Sequence, residues 1–100
     1  MNAIIVEKVC DYFKNQPIER AWIFGSYARE EENERSDIDI LVNFEADYKM
    51  SLLKYSLIVN ELQRLTGKKI DLVENGQLRN YVEKTANEDK VLIYERKIEG

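Results

Sequence analysis

Asp37 and Asp39 are separated by one residue in Ser36-Asp37-Ile38-Asp39-Ile40-Leu41-Val42, a run that is otherwise apolar and β-branched. If the run is a strand, its side chains alternate between two faces. Ile38, Ile40, Val42 and Phe44 then share a face suited to a core, and Asp37, Asp39, Leu41 and Asn43 share the other. The two aspartates become neighbours, with Cα atoms roughly 6.5 Å apart for a rise of about 3.3 Å per residue. A third carboxylate lies in Lys69-Ile70-Asp71-Leu72-Val73. With Ile70 and Leu72 turned to the core, Asp71 joins the same side of the sheet. Carboxylates this close repel, since two unit charges at about 6 Å cost roughly 2–3 kcal/mol at an effective dielectric near 20. A hard divalent cation relieves the repulsion, and Mg²⁺ takes carboxylate oxygens together with substrate phosphates. Two such ions about 3.5–4 Å apart clamp the attacking and leaving oxygens of a phosphoryl displacement. A turn role for Asp37 and simple solvation of Asp39 and Asp71 would explain each residue singly, but explains the triplet poorly.

A second feature is Gly25-Ser26, directly after the aromatic run Arg20-Ala21-Trp22-Ile23-Phe24. Glycine permits close approach of backbone to a ligand. The N–H groups that open a following helix attract anions, and a serine hydroxyl adds a donor for a phosphate oxygen. On its own this turn is no more than a capped strand end. It is neither a G-x-x-x-x-G-K-[ST] loop nor a G-x-G-x-x-G fingerprint. An EF-hand reading of Asp37-x-Asp39 fails, because Leu41 and Val42 stand where the next ligand and the glycine belong.

Composition narrows the chemistry further. The 100 residues include no histidine and one cysteine, Cys10. That excludes imidazole general bases, Cys-His pairs and the usual zinc sites. A lone cysteine forms no internal disulfide, so a reducing, cytoplasmic setting is expected, with Cys10 in the core. Fifteen Lys and Arg against 19 Asp and Glu leave a net charge of −4. This balance argues against direct nucleic-acid or anionic-membrane binding, and no apolar run is long enough for a membrane span. Residues 1–100 read as a single domain with 44% apolar content, enough for a core.

The elements that must position these residues alternate along the chain. Residues 2–15 carry a helical stripe of Ile5, Val9, Tyr12 and Phe13, ended with the help of Pro17. Arg20–Phe24 reads as a strand, and 26–32 as a short helix with Ser26 as N-cap. Ile38–Phe44 is the second strand. Residues 47–65 form a helix with Met50, Leu53, Leu57, Ile58, Leu62 and Leu65 on one face and Gly67 as its stop. Leu52, Tyr55 and Val59 lie outside that stripe, which leaves both core packing and a partner interface open. Lys69–Val73 is a third strand, 76–86 looks helical, and 90–95 is a last strand or a terminal helical turn. The order αβαβαβα predicts a small α/β (α+β) domain, its mixed sheet built on three core strands with a fourth at the C-terminus as the alternative.

Taken together, Gly25-Ser26-Tyr27-Ala28-Arg29-Glu30-Glu31, a four-residue spacer and Ser36-Asp37-Ile38-Asp39-Ile40-Leu41-Val42 resemble the signature of the DNA polymerase beta-like nucleotidyltransferase superfamily. The chain is similar in particular to minimal nucleotidyltransferase (MNT) domains, the antitoxins of HEPN–MNT toxin–antitoxin modules. The resemblance implies Mg²⁺-dependent AMP transfer from ATP to a tyrosine hydroxyl of a HEPN ribonuclease toxin. Under it, Asp37 and Asp39 hold two Mg²⁺ ions, and Asp71 completes one metal site and helps deprotonate the attacking hydroxyl. Gly25 and Ser26 hold the triphosphate, with Arg29, Lys68 and Lys69 as candidates to neutralise it. One position departs from the pattern: the family often has glycine where this chain has Glu30, which strains the loop if φ is positive there. The acidic run Glu30, Glu31, Glu32 and Glu34 also places negative charge near the triphosphate. Two other functions remain in view, namely an antitoxin that acts by occlusion alone and the catalytic subunit of a two-component, antibiotic-type nucleotidyltransferase.

Overall fold

The computed structural model describes residues 2–33, 35–74 and 89–96. Asn2 opens helix α1 (Ala3–Phe13), its side chain accepting from the amides of Ile4 and Ile5. Ile5, Val9 and Phe13 are buried along one face. Strand β1 (Ile18–Phe24) follows, then the short helix α2 (Gly25–Ala28) and strand β2 (Ile38–Phe44). Helix α3 (Leu52–Thr66) leads to strands β3 (Ile70–Glu74) and β4 (Val91–Glu95). The expected helix over 76–86 and Glu34 lie outside the described residues.

The four strands form one mixed sheet in the order β3-β2-β1-β4. β1 runs antiparallel to both β2 and β4, and β2 parallel to β3. The segment 90–95, left open between strand and helical turn, is thus a strand. Val9, Phe13, Ala21, Ile23, Ile38, Ile40, Val42, Ile58, Leu62, Ile70 and Leu72 meet in the core between the sheet and helices α1 and α3. Leu41 is buried too, but on the opposite face, outside that cluster. Among the described residues no helix is long and apolar enough to cross a membrane.

Three local expectations require correction. α3 begins at Leu52 rather than 47, because the Ser51 side chain accepts from the Lys54 amide and caps the helix there. It ends at Gly67, in the left-handed region at φ 68°, as expected of a glycine stop. The face it buries differs as well. Ile58 and Leu62 are buried with Tyr55 and Val59 packed beside them, whereas Leu53 and Leu57 are 82% and 51% exposed. The Tyr55 hydroxyl donates to the Leu72 carbonyl of β3, which turns Tyr55 toward the sheet and Leu53 and Leu57 away. Finally, Ser26 is not an N-cap. Phe24 holds that position without a side-chain bond, and Ser26 lies inside α2.

At its far end the sheet is tied to α1 by Arg96. Its Nη2 donates to the carbonyls of Phe13, Lys14 and Gln16, and its Nε to that of Ile18. A cation there satisfies carbonyls that the helix C-terminus leaves without intrahelical partners.

Glu30 is the one non-glycine among the described residues with positive φ, at 58°. An L-residue in this region costs about 1–2 kcal/mol, partly offset because glycine has more unfolded-state entropy to lose, about 0.4–1 kcal/mol. Glu30→Gly is therefore expected to raise the unfolding free energy by roughly 0.5–1 kcal/mol, measured by urea denaturation. A destabilised variant would show that the Glu30 side chain contributes more than its backbone costs.

Candidate active site

The site forms at one end of the sheet, where β1 finishes and β2, β3 and β4 all begin. This follows from the registers: Phe24 pairs with Asp39, Asp39 with Asp71, and Ile23 with Val91. Residues paired across adjacent strands project from the same face, so Asp39 and Asp71 stand side by side. Neighbouring strands are about 4.8 Å apart. Asp37 lies two residues ahead of Asp39, just before β2. Asp39 is half-buried, while Asp37 and Asp71 are exposed.

Gly25 abuts this cluster. Its φ of 72° belongs to the left-handed region, and a Cβ there would collide with Asp39 Oδ2 and lie 3.2 Å from Asp39 Cγ. Glycine is thus required twice at residue 25, for its dihedral and for the space the Asp39 carboxylate fills. The turn continues through Arg29, whose amide donates to the Gly25 carbonyl, and Glu31, whose amide donates to that of Ser26. Tyr27 points into the core, which anchors α2 from beneath. Lys68 and Lys69 sit at the α3–β3 turn beside Gln63 and Gly67, at the same end of the sheet, since the Lys69 carbonyl accepts from the Ile38 amide.

Burial, then the charge of Asp71, then that of Asp37 push the Asp39 carboxyl up from 3.8 to about 6, with Arg29 acting in the opposite direction. An all-oxygen donor set in which one carboxylate is pushed toward its protonated form by burial and by its acidic neighbours suits a hard divalent cation. Among the described residues no three such groups are already gathered at metal-holding spacing. An ion would therefore draw the exposed carboxylates of Asp37 and Asp71 in beside Asp39.

Arg29, read from the sequence as a phosphate ligand, is ion-paired to Glu31 and to Asp89. Asp89 carries no signal in the sequence. It lies 60 residues from Arg29 and arrives only because β4 pairs with β1.

Two carboxylates paired across the parallel strands β2 and β3 thus stand beside the Gly25-Ser26 turn, on a sheet backed by two helices. The family model described as polymerase beta, nucleotidyltransferase matches residues 7–99, and the chain belongs to that family and is a nucleotidyltransferase. It is similar to the protein adenylyltransferase MntA of Thermococcus cleftensis, with 41% identity over 71 residues, 71% of this chain and 70% of that protein. Its fold matches a chain of a toxin–antitoxin crystal structure with AMP-PNP (TM-score 0.76, 16% identity, 92% of this chain and 74% of the other). It also matches a chain of the Shewanella oneidensis complex of a tri-AMPylated HEPN toxin with its MNT antitoxin (TM-score 0.72, 15% identity, 96% and 74%).

Two outcomes test this geometry. Gly25→Ala should lose about 1–2 kcal/mol of stability through its dihedral alone, and should lose nucleotidyl transfer through displacement of Asp39; full activity in that variant would contradict the packing described. The second concerns pH. Because the folded pKa of Asp39 is raised, the folded state holds more protons than the unfolded one between 3.8 and about 6. Stability of the metal-free protein therefore falls as pH rises through that window. Asp39→Asn removes this dependence, so its stability relative to the parent should climb from pH 4 to pH 6 and then level off. A constant difference in denaturation midpoint across those pH values would refute the assignment.

Proposed function

We propose that the chain is an antitoxin that transfers AMP from ATP to a tyrosine hydroxyl of a cognate HEPN ribonuclease toxin, with Mg²⁺ as cofactor. The observation that carries the reading is the register pair Asp39–Asp71 with Asp37 beside it, facing the Gly25-Ser26 turn. The names of the relative and of the solved complexes support adenylyl transfer, a HEPN partner and an ATP-like donor. In this reading Asp37, Asp39 and Asp71 hold two Mg²⁺ ions. When bound, Mg²⁺ supplies charge neutralisation around the α-phosphate and the departing pyrophosphate.

The remaining work belongs to the chain itself. Backbone N–H groups of the Gly25-Ser26 turn and the Ser26 hydroxyl bind the triphosphate, with Arg29 as a further cation for it. Asp71, the more exposed of the paired carboxylates, takes the proton of the attacking hydroxyl. A tyrosine has an ordinary pKa near 10, and with no histidine in the chain a carboxylate is the base available. The tyrosine oxygen attacks the α-phosphorus, the Pα–O bond to the β-phosphate breaks, and pyrophosphate leaves in line. Holding the hydroxyl, the α-phosphorus and the leaving oxygen in line is where such a site gains most of its rate.

The test is incubation with ATP, Mg²⁺ and the cognate toxin, read by mass spectrometry for an AMP-sized increment on a toxin tyrosine. The increment is expected for the parent and absent for an Asp37→Asn, Asp39→Asn double variant, together with neutralisation of the toxin. If the complex forms but no AMP is transferred, or if the double variant still neutralises, the protein acts by occlusion and this reading is wrong.

A further inference from the structure

The Arg29 guanidinium is engaged before any nucleotide arrives. Nε donates to Glu31 Oε2 at 3.1 Å and Nη1 to Asp89 Oδ2 at 3.0 Å. The two carboxylates differ in standing. Glu31 is two residues away, its side chain 65% exposed, whereas the Asp89 side chain is 25% exposed and is delivered by the pairing of β4 with β1. Asp89 therefore lies at the same sheet end as Gly25, Asp39 and Asp71, two residues ahead of Val91, which pairs with Ile23. Arg29 is also near enough to the carboxylate cluster to act on the charge of Asp39.

We propose that Asp89 is a built-in competitor for the nucleotide: its carboxylate occupies Arg29 Nη1, a donor that a phosphate group takes when ATP binds. This rests on Arg29 as a triphosphate ligand in the function proposed above. Asp89 accepts one charge-assisted bond from Nη1; a phosphate oxygen is the same kind of anionic acceptor, and the N–H that serves Asp89 cannot serve it fully. A partly exposed carboxylate–arginine pair is weak, and a phosphate, with more charge and more acceptor oxygens, displaces it. Asp89 keeps the guanidinium ordered and charge-matched in the empty site, at the cost of some nucleotide affinity.

The test is calorimetric titration of ATP with Mg²⁺ into the full chain, comparing the parent with Asp89→Asn, Asp89→Glu, Arg29→Ala and the Arg29→Ala, Asp89→Asn double variant, with thermal melts to monitor folding. Asp89→Asn should bind ATP about two- to fivefold more tightly, and Asp89→Glu like the parent. In the Arg29→Ala background the Asp89→Asn gain should vanish, since competition requires the shared donor. In transfer assays the KM for ATP should fall while kcat stays level. Unchanged or weaker ATP binding by Asp89→Asn, or a gain that persists without Arg29, overturns the proposal while leaving the catalytic reading in place. Absence of ATP binding by the parent would overturn the function proposed above, and this competition with it.

Discussion

The Asp39 carboxylate occupies the space that a side chain at residue 25 would need, and much of the active end of the molecule follows from that contact. Asp39 reaches the position because β2 pairs with β1 so that Asp39 lies opposite Phe24, the last residue of β1. The chain must then leave β1 through a residue with no Cβ and a positive φ, which Gly25 supplies. The same residue opens α2 and turns its backbone across the front of the carboxylates. A one-residue slip in the β1–β2 register would exchange Asp39 for an apolar neighbour and send its charge into the core face. The apolar pairing that sets the register is thus what positions the chemistry.

Charge is distributed over the sheet with the same logic. One face carries Ile38, Ile40, Val42, Ile70 and Leu72 into the core under α1 and α3. The other face, at the end where β1 stops and the remaining strands start, gathers Asp37, Asp39 and Asp71, with Asp89 just ahead of β4. Burial, together with the acids concentrated there, raises the pKa of Asp39, a cost that a protein with no ligand for the site would have little reason to carry. Arg29 offsets part of it and is itself paired twice. At the opposite end Arg96 does a purely structural task, gathering the carbonyls at the end of α1 and in the turn into β1. The two arginines show one residue type in two settings, Arg29 pairing carboxylates after α2 and Arg96, just after β4, holding a helix end.

The legible parts of this molecule were those governed by short-range periodicity. Alternation along Ile38–Phe44 identified which face of β2 would be charged, the position of Gly67 marked where α3 stops, and the Gly25-Ser26 and Asp-x-Asp spacing pointed to the family. The orientation of α3 was not legible in the same way. Leu53 and Leu57 are as apolar as Ile58 and Leu62, so periodicity defines a stripe but not which of two overlapping stripes meets the sheet. A hydroxyl-to-carbonyl bond from Tyr55 to Leu72, across 17 residues, settles it. The start of α3 was not legible either: it falls at Leu52, inside the range periodicity suggested, where the Ser51 side chain accepts from the Lys54 amide.

By itself, then, the sequence determined the chemical inventory and the local grammar: carboxylates without imidazole, two aspartates on one strand face, and a glycine ahead of a serine. These are properties of residue type and of separations of a few residues, where backbone geometry is regular. Tertiary structure alone decided the strand pairing that sets Asp71, expected on the same face, directly beside Asp39, and it alone brought Asp89 to Arg29, Arg96 to the end of α1 and the leucines of α3 outward. Each depends on strand order and register, which are set by the summed burial of many side chains and are not encoded at any one position.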